Sequence, residues 1–167
     1  LLDMYSILKT QGTLDNLNIF MVGDLKYGRT VHSLLMAMSQ FENPIFNFIA
    51  PTVLEMPDEY KMFLRDKGIK YYEHKEFTEI ISAADIIYMT RVQKERFSDP
   101  IEYEQVKNIY ILRNAMLEKT KPNVKVLHPL PRVNEIHTDV DANEKAYYFT
   151  QALNGVFTRE AIISHIM

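Results

Sequence analysis

Leu17–Val22 reads Leu-Asn-Ile-Phe-Met-Val, a short apolar run that ends at Gly23. It is apolar at nearly every position instead of at alternate ones, which is typical of a strand covered on both faces of a parallel sheet. Within Thr30–Phe41, apolar side chains recur at the 3.6-residue period of an amphipathic helix. A strand followed by a helix is the repeating unit of an α/β fold, so this stretch predicts that fold class.

The same alternation continues along the chain. Further strands are predicted at Ile45–Ala50, Ile69–Tyr72, Asp85–Met89, Ile109–Leu112 and Val124–Leu127. Further helices are predicted at residues 1–11, Glu59–Lys67 (ended by Gly68), Thr78–Ala83, Ile101–Lys107, Ala142–Asn154 and Thr158–Ile166, with a helical turn at Ala115–Lys119. These units predict a doubly wound, three-layer, Rossmann-like α/β domain, with a parallel sheet of about five or six strands flanked by helices.

Length and composition limit the possible classes of protein. The 167 residues suit a single domain over 1–167. A net charge of −3 provides no basic field for nucleic acid, and the apolar runs fall short of the ~20 residues that cross a bilayer. The chain has no cysteine, and its histidines are not spaced as metal ligands, so we expect no metal site. Neither end carries a helix start or stop signal, so we expect a piece of a longer chain.

Two arginines each follow a predicted strand. Arg29 lies in Gly23–Thr30, which reads Gly-Asp-Leu-Lys-Tyr-Gly-Arg-Thr, and Arg91 lies in Thr90–Arg96. Residues just past the carboxyl ends of strands line the ligand crevice of an open α/β sheet. Because Arg is a planar fork that binds carboxylates in a bidentate manner, the pair predicts a receptor for a small dicarboxylate. If the chain stays extended there, Gln93 points the same way as Arg91 and adds an amide.

Both segments also have other interpretations. The segment Thr90–Arg96 also contains Lys94 and Arg96, and a series of polar residues after a strand is typical of a solvated basic loop as well. The first differs by one residue from the phosphate-binding pattern Gly-x4-Gly-Lys-Ser/Thr, which keeps a nucleotide-binding protein as an alternative. Against that alternative, Arg29 replaces the compact Lys, bulky side chains fill Leu25–Tyr27, and no later strand ends in an Asp that could hold Mg²⁺.

A third segment, His128–Arg132, reads His-Pro-Leu-Pro-Arg and also follows a predicted strand. Neither Pro129 nor Pro131 has an N–H group, and no regular helix can form across them. Neighbouring carbonyls therefore remain free acceptors, which suits an NH₂ group of a ligand. His128 alone is more typical of a packed or hydrogen-bonded histidine than of a catalytic one.

Together these segments resemble the aspartate carbamoyltransferase family, specifically the C-terminal, aspartate-binding half of its catalytic chain. The resemblance covers essentially the whole sequence, and its motifs are long and in a consistent order. They are Leu1–Tyr5, Gln11–Leu17, Val22–Leu34, Tyr88–Arg96, His128–Val133 and Gln151–Gly155. The related enzyme that carbamoylates ornithine typically carries Cys in place of Pro129, and it binds a cationic side chain for which Arg91 is unsuited.

The resemblance implies transfer of the carbamoyl group from carbamoyl phosphate to the α-amine of L-aspartate, with no metal or cofactor. It implies that Arg29 binds the α-carboxylate, while Arg91 and Gln93 face the rest of the aspartate. The carbonyls of Pro129 and Leu130 would accept from the carbamoyl and amino groups, and the Leu130–Pro131 peptide bond would be cis. Supporting roles are expected for Lys94, Arg96, His128, Pro131 and Arg132.

Other parts of the family's site are absent from these residues. The resemblance places its phosphate-gripping Ser-Thr-Arg-Thr segment, an oxyanion-stabilising His and a mobile Ser/Lys loop in a preceding carbamoyl-phosphate-binding domain. We therefore expect no complete catalytic group here and no activity of this chain alone.

The expected partners are the carbamoyl-phosphate-binding domain, both substrates and a homotrimer of the full-length protein, with no nucleic acid and no membrane. We expect a cytoplasmic protein, or a plastid protein if a targeting segment lies upstream. The alternative function is a non-catalytic amino-acid-binding or regulatory domain of the same superfamily.

Overall fold

A computed structural model describes residues 1–167 and contains one five-stranded sheet in which all neighbouring strands are parallel. The strand order is β3-β2-β1-β4-β5. The strands are β1 Asn18–Val22, β2 Ile45–Ile49, β3 Lys70–His74, β4 Ile86–Met89 and β5 Lys125–Leu127. The chain winds outward from β1 to β3 and then crosses back to β4, so the predicted doubly wound architecture is confirmed.

Six α-helices flank the sheet. They are α1 Leu2–Gln11, α2 Arg29–Met38, α3 Asp58–Asp66, α4 Pro100–Val106, α5 Asn114–Leu117 and α6 Tyr148–Ile166. The helix α3 ends one residue before the predicted Lys67, and Gly68 adopts a left-handed φ of 69° just after it. None of the helices combines the length and the apolar character that crossing a membrane requires.

The strand predicted at Ile109–Leu112 is wrong. Only Leu112 forms an isolated bridge, to Ile136, and its N–H donates to the carbonyl of Glu135. The backbone of Leu112 pairs with residues 135–137 instead, because the N–H of His137 also donates to its carbonyl, and β4 already has β1 and β5 on its two edges. A short apolar run therefore packs against the sheet without joining it.

Two helix predictions also need correction. Thr78–Ala83 forms only a 3-10 turn at Ile81–Ala83. The two predicted C-terminal helices are one helix, α6, which begins later than expected. It begins late because residues 145–147 run along β5. There the N–H of Val126 donates to the carbonyl of Lys145, and the N–H of Tyr147 donates to the carbonyl of Val126.

The core has two parts, one on each face of the sheet. In β1, Ile19 and Met21 belong to the cluster that α1, α2 and α3 cover. Phe20 and Val22 belong to the cluster on the opposite face, together with residues from 77–89, 110–126 and 136–148. All four of these β1 side chains are at most 1% exposed. Burial on both faces explains why the strand is apolar without alternation.

The strand order places a crevice at one end of the sheet. The strands β1 and β4 are adjacent, but the chain leaves them in opposite directions across the sheet. This is the topological switch point, where loops after neighbouring strands diverge and leave a ligand crevice at the carboxyl ends. The loops after β1, β4 and β5 are the three segments that carry the predicted site residues.

Candidate substrate-binding site

A cavity of about 260 Å³ lies at the carboxyl ends of β1, β4 and β5. It brings together residues of all three predicted segments, which are far apart in sequence. The residues that line it are Tyr27, Gly28, Arg29, Thr30, Thr90, Arg91, Gln93, His128, Pro129, Leu130 and Pro131. Two guanidinium groups and no carboxylate are among them, so the cavity suits an anion.

The loop after β1 is held by its own buried carboxylate. Asp24 is fully buried; its Oδ1 accepts from the backbone N–H of Tyr27 at 2.8 Å, and its Oδ2 has no hydrogen-bond partner. Burial raises the pKa of the Asp24 carboxyl, and hydrogen bonding to the backbone opposes that rise without cancelling it. In a phosphate-binding loop the backbone amides would converge on the phosphate. Here the amide of Tyr27 donates to Asp24 instead, which argues against nucleotide binding.

The side chain of Arg29 is available to a ligand. Arg29 is the first residue of α2, is exposed, and its guanidinium makes no ion pair or hydrogen bond within the chain. A cation at the start of a helix is disfavoured by the helix dipole, and no acidic residue lies in the first turn to offset it. A bound carboxylate would compensate both the free guanidinium and the dipole.

The loop after β4 carries Arg91 and Gln93 on irregular, extended backbone. The Arg91 side chain is 35% exposed, and its Nη2 lies 2.9 Å from Oε1 of Glu95. A ligand carboxylate would therefore compete with Glu95 for the guanidinium. Thr90 anchors the loop at its base, donating from Oγ1 to the carbonyls of Val22 and Asp24.

The loop after β5 presents two carbonyl groups without partners. The Leu130–Pro131 bond is cis, as predicted, and Leu130 has a φ of 50°, in the left-handed region that non-glycine residues rarely adopt. The carbonyl oxygens of Pro129 and Leu130 accept no hydrogen bond within the chain, and both residues line the cavity. They remain free to bind a donor such as an NH₂ group.

Three residues with expected supporting roles lie away from the cavity. Arg132 pairs with Asp141, donates to the carbonyl of Ile136, and stacks over two aromatic rings. The ammonium of Lys94 lies 5.9 Å from the ring centre of Tyr103, and the exposed Arg96 makes no ion pair. His128 and Pro131, in contrast, line the cavity.

Sequence patterns did not single out Tyr27, Thr90 and Glu135. Thr90 is the first residue after β4, which is a signal that could have identified it. Tyr27 lies within the loop that carries Arg29 but has no distinctive spacing. Glu135 is seven residues from His128, and only the folded loop brings its carboxylate to 2.7 Å from His128 Nε2.

Comparisons with known proteins identify the family of this chain. A sequence model described as aspartate/ornithine carbamoyltransferase, Asp/Orn binding domain, matches residues 15–166. The aspartate carbamoyltransferase catalytic subunit of Bacteroides thetaiotaomicron is 68% identical over all of this chain, which spans 53% of that relative.

Solved structures give the same result. The catalytic subunit of M. jannaschii aspartate transcarbamoylase is 44% identical with a TM-score of 0.90, over 97% of this chain and 54% of that one. The Trypanosoma cruzi enzyme, solved with carbamoyl phosphate and aspartate, is 34% identical with a TM-score of 0.88, over 97% of this chain and 54% of that one. This chain therefore spans about half the length of the relatives it matches. It belongs to the aspartate/ornithine carbamoyltransferase family and corresponds to the Asp/Orn binding domain.

Proposed function

We propose that this chain supplies the aspartate-binding half of an aspartate carbamoyltransferase active site. The observation that carries the proposal is the combination of two guanidinium groups, Arg29 and Arg91, with the free carbonyls of Pro129 and Leu130 around one cavity. L-Aspartate offers two carboxylates for the arginines and one amine for the carbonyls. Ornithine carries a second ammonium group, which two cationic forks would repel.

In this proposal the chain acts on the reaction mainly by orienting the nucleophile. Arg29 holds the α-carboxylate, and Arg91 with Gln93 holds the other end of the aspartate. The α-amine then attacks the carbamoyl carbon of carbamoyl phosphate, the C–O bond to phosphate breaks, and the amine loses a proton to give N-carbamoyl-L-aspartate. The carbonyls of Pro129 and Leu130 accept from the carbamoyl NH₂ and the amine and fix their relative position, and such orientation can lower the barrier by several kcal/mol, about 7–11 in the best cases.

A second half of the protein would supply the carbamoyl-phosphate site. The groove between α1 and α6 supports this division, because it is about 820 Å³ in volume and nine of its eleven lining residues are hydrophobic. Exposed side chains along it include Leu1 at 73% and Phe157 at 47%. Exposed apolar surface of this kind marks a contact with another protein surface. We assign it to the carbamoyl-phosphate-binding domain, since this chain spans only 53% of its Bacteroides relative.

The wider context follows from the same proposal. The full-length protein would act in pyrimidine biosynthesis as a homotrimer, without metal or cofactor. Its bacterial relatives are in keeping with a cytoplasmic enzyme. The sequence upstream of residue 1 tests the assignment most directly, because a Ser-Thr-Arg-Thr segment roughly eighty residues upstream is expected for the enzyme. Its absence in the gene would favour a non-catalytic amino-acid-binding domain.

Kinetics of Arg91→Ala in the full-length protein test the role of the cavity. A charge-assisted hydrogen bond contributes about 1.5–3 kcal/mol, and a bidentate pair makes two. We expect kcat/KM for aspartate to fall on the order of 10² to 10⁴. Arg65→Ala is the matched control, since Arg65 is exposed on α3 and forms no ion pair. Unchanged aspartate kinetics in Arg91→Ala would remove this residue from the site.

A further inference from the structure

A buried ionisable pair lies behind the loop that presents the free carbonyls. His128 Nε2 is 2.7 Å from Oε1 of Glu135, and the two side chains are only 1% and 8% exposed. The pair joins the start of the loop, just after β5, to its end. It belongs to none of the contacts that the proposed chemistry uses, so its role needs a separate explanation.

The hydrogen bonds determine which ring nitrogen of His128 carries the proton. The N–H of Leu130 donates to Nδ1 at 2.8 Å, so Nδ1 must present a lone pair. The proton is therefore on Nε2, which donates it to Glu135. Glu135 also accepts from the backbone N–H groups of Val133 and Asn134 at 3.1 Å each. Burial raises the pKa of the Glu135 carboxyl, but the hydrogen bonds from His128 and the backbone outweigh it and leave the pKa below its usual value.

The backbone of His128 is hydrogen-bonded to a helix that packs on the sheet. Its backbone N–H donates to Oε1 of Gln151 in α6 at 2.8 Å. The amide of Gln151 donates in turn to Asp3 of α1 at 2.6 Å, and Tyr88 of β4 donates to the same carboxylate at 3.1 Å. His128 is thus fixed at its backbone as well as at both ring nitrogens.

We propose that Glu135 is a positioning residue for the carbonyls of Pro129 and Leu130. By accepting the proton on Nε2, it keeps Nδ1 of His128 free to hold the N–H of Leu130, and this holds the carbonyls toward the cavity. The inference rests on the proposed function, because it assumes that these carbonyls bind the carbamoyl and amino groups. It adds a residue that does not line the cavity and touches no substrate.

The conformation at Leu130 explains why such a support is needed. A non-glycine residue at a φ of 50° persists only where its surroundings hold it. The N–H of Leu130 and the free carbonyl of Pro129 belong to the same planar peptide unit. A change in the hydrogen bond from this N–H to His128 therefore rotates the carbonyl as well. If His128 carried its proton on Nδ1, two donors would face each other and the loop would have to move.

Glu135→Gln tests the inference. One carboxylate oxygen becomes an NH₂ group, which must face either His128 Nε2–H or the N–H groups of Val133 and Asn134, donor against donor. In the full-length enzyme we expect kcat to fall roughly 10- to 100-fold, because a displacement of about 1 Å has effects of this size. The KM for aspartate should stay within about threefold, since neither arginine is disturbed. Glu118→Gln, an exposed glutamate without an ion pair, is the matched control.

A spectroscopic measurement separates positioning from general stability. Long-range ¹H–¹⁵N correlation spectra of the wild-type protein should show His128 protonated on Nε2 alone, with its signals identified by their loss in His128→Gln. A wild-type His128 protonated on Nδ1 overturns the inference, whether or not any variant folds. If Glu135→Gln does not fold, Glu135→Asp keeps the charge on a shorter side chain and is measured in the same way.

The kinetic outcomes distinguish the two proposals. A folded Glu135→Gln with the same kcat as Glu118→Gln overturns the positioning role. A loss of kcat that is fully explained by a smaller fraction of folded Glu135→Gln protein overturns it too. A wild-type full-length protein that transfers no carbamoyl group refutes the proposed function instead. A lower kcat with an unchanged aspartate KM supports the inference.

Discussion

Arg29 and Arg91 differ in their surroundings although both line the same cavity. Arg91 is engaged by Glu95, whereas the guanidinium of Arg29 has no partner and lies at the start of α2. A ligand carboxylate at Arg29 therefore forms new hydrogen bonds, while one at Arg91 must replace an existing ion pair. Because that pair is exposed and screened by water, replacing it costs little.

Arg29→Lys tests whether this position needs a planar fork or only a charge. Lys cannot make two parallel hydrogen bonds to one carboxylate, so we expect Arg29→Lys to reduce kcat/KM for aspartate nearly as much as Arg29→Ala. Steady-state kinetics of both variants in the full-length protein measure this. Near-normal activity of the Lys variant would show that charge alone suffices, and the bidentate assignment would be wrong.

At the scale of elements, the close approach of two loops holds the cavity together. Gly23 has a φ of 113°, and a Cβ built there would lie 2.4 Å from the carbonyl oxygen of Thr90. The loop after β1 can therefore lie against the loop after β4 only if position 23 has no side chain. This contact sets the distance between the segments that carry Arg29 and Arg91.

Gly23→Ala is expected to displace the loop after β4 and to destabilise the fold. Strain at such a backbone conformation alone costs about 1–3 kcal/mol, and the collision with Thr90 adds to it. Gly68→Ala is the control, because Gly68 also has a positive φ of 69° but no atom lies within 4 Å of its would-be Cβ. Urea unfolding should show a smaller loss for Gly68→Ala, about 1–2 kcal/mol. Equal losses in the two variants would mean that the contact with Thr90 is not tight.

At the scale of the molecule, Asp3 joins α1 to β4 and α6. Its carboxylate accepts from Gln151 and Tyr88, yet burial dominates and raises its pKa above the usual 3.8. The folded state therefore binds this proton more tightly than the unfolded state does. The stabilisation that this proton provides is complete below pH 3.8, and it is lost as the pH rises through the pKa of Asp3 in the folded state.

Asp3→Asn removes this titration while an amide can still bind Gln151 and Tyr88. We expect the variant to be more stable than the wild type at neutral pH, with the difference shrinking as the pH falls toward 3.8. Denaturant melts over a pH series measure it. A variant less stable than the wild type at pH 7 would show that the charged carboxylate contributes more through its hydrogen bonds than it loses by burial.

The 167-residue chain should fold by itself but transfer no carbamoyl group. Its sheet has a core on both faces, and a chain of this length buries enough surface for a stable fold. In the proposed division, the carbamoyl-phosphate site belongs to the other half, and the aspartate cavity stays open to water. Each arginine–carboxylate pair then contributes little, so aspartate binding should be weak in calorimetry. Transfer above background by the purified chain would show that the carbamoyl site lies within these residues.

The sequence was sufficient to predict the fold class, four of the five further strands apart from small differences at their ends, and the three loops that line the cavity. These depend on local patterns: a strand buried on both faces is apolar throughout, and a residue just after it lies at the sheet's carboxyl edge. The succession of strands and helices before and after β1 already implies a core on both faces of the sheet. The positions of Arg29, Arg91 and Pro129 at that edge follow from the same local patterns, because each lies in a segment that directly follows an apolar run.

Tertiary structure decided which apolar runs joined the sheet and which polar groups came together. Ile109–Leu112 has the composition of a strand, but β4 already had a neighbour on both edges, and no local pattern reports that. Arg132 follows β5 as the other candidates follow their strands, yet Asp141 and two aromatic rings hold it elsewhere. Glu135 reaches His128 only because the loop folds back on itself. The physical reason is the same in each case: local periodicity reports burial, whereas pairing depends on which atoms the rest of the chain has already engaged.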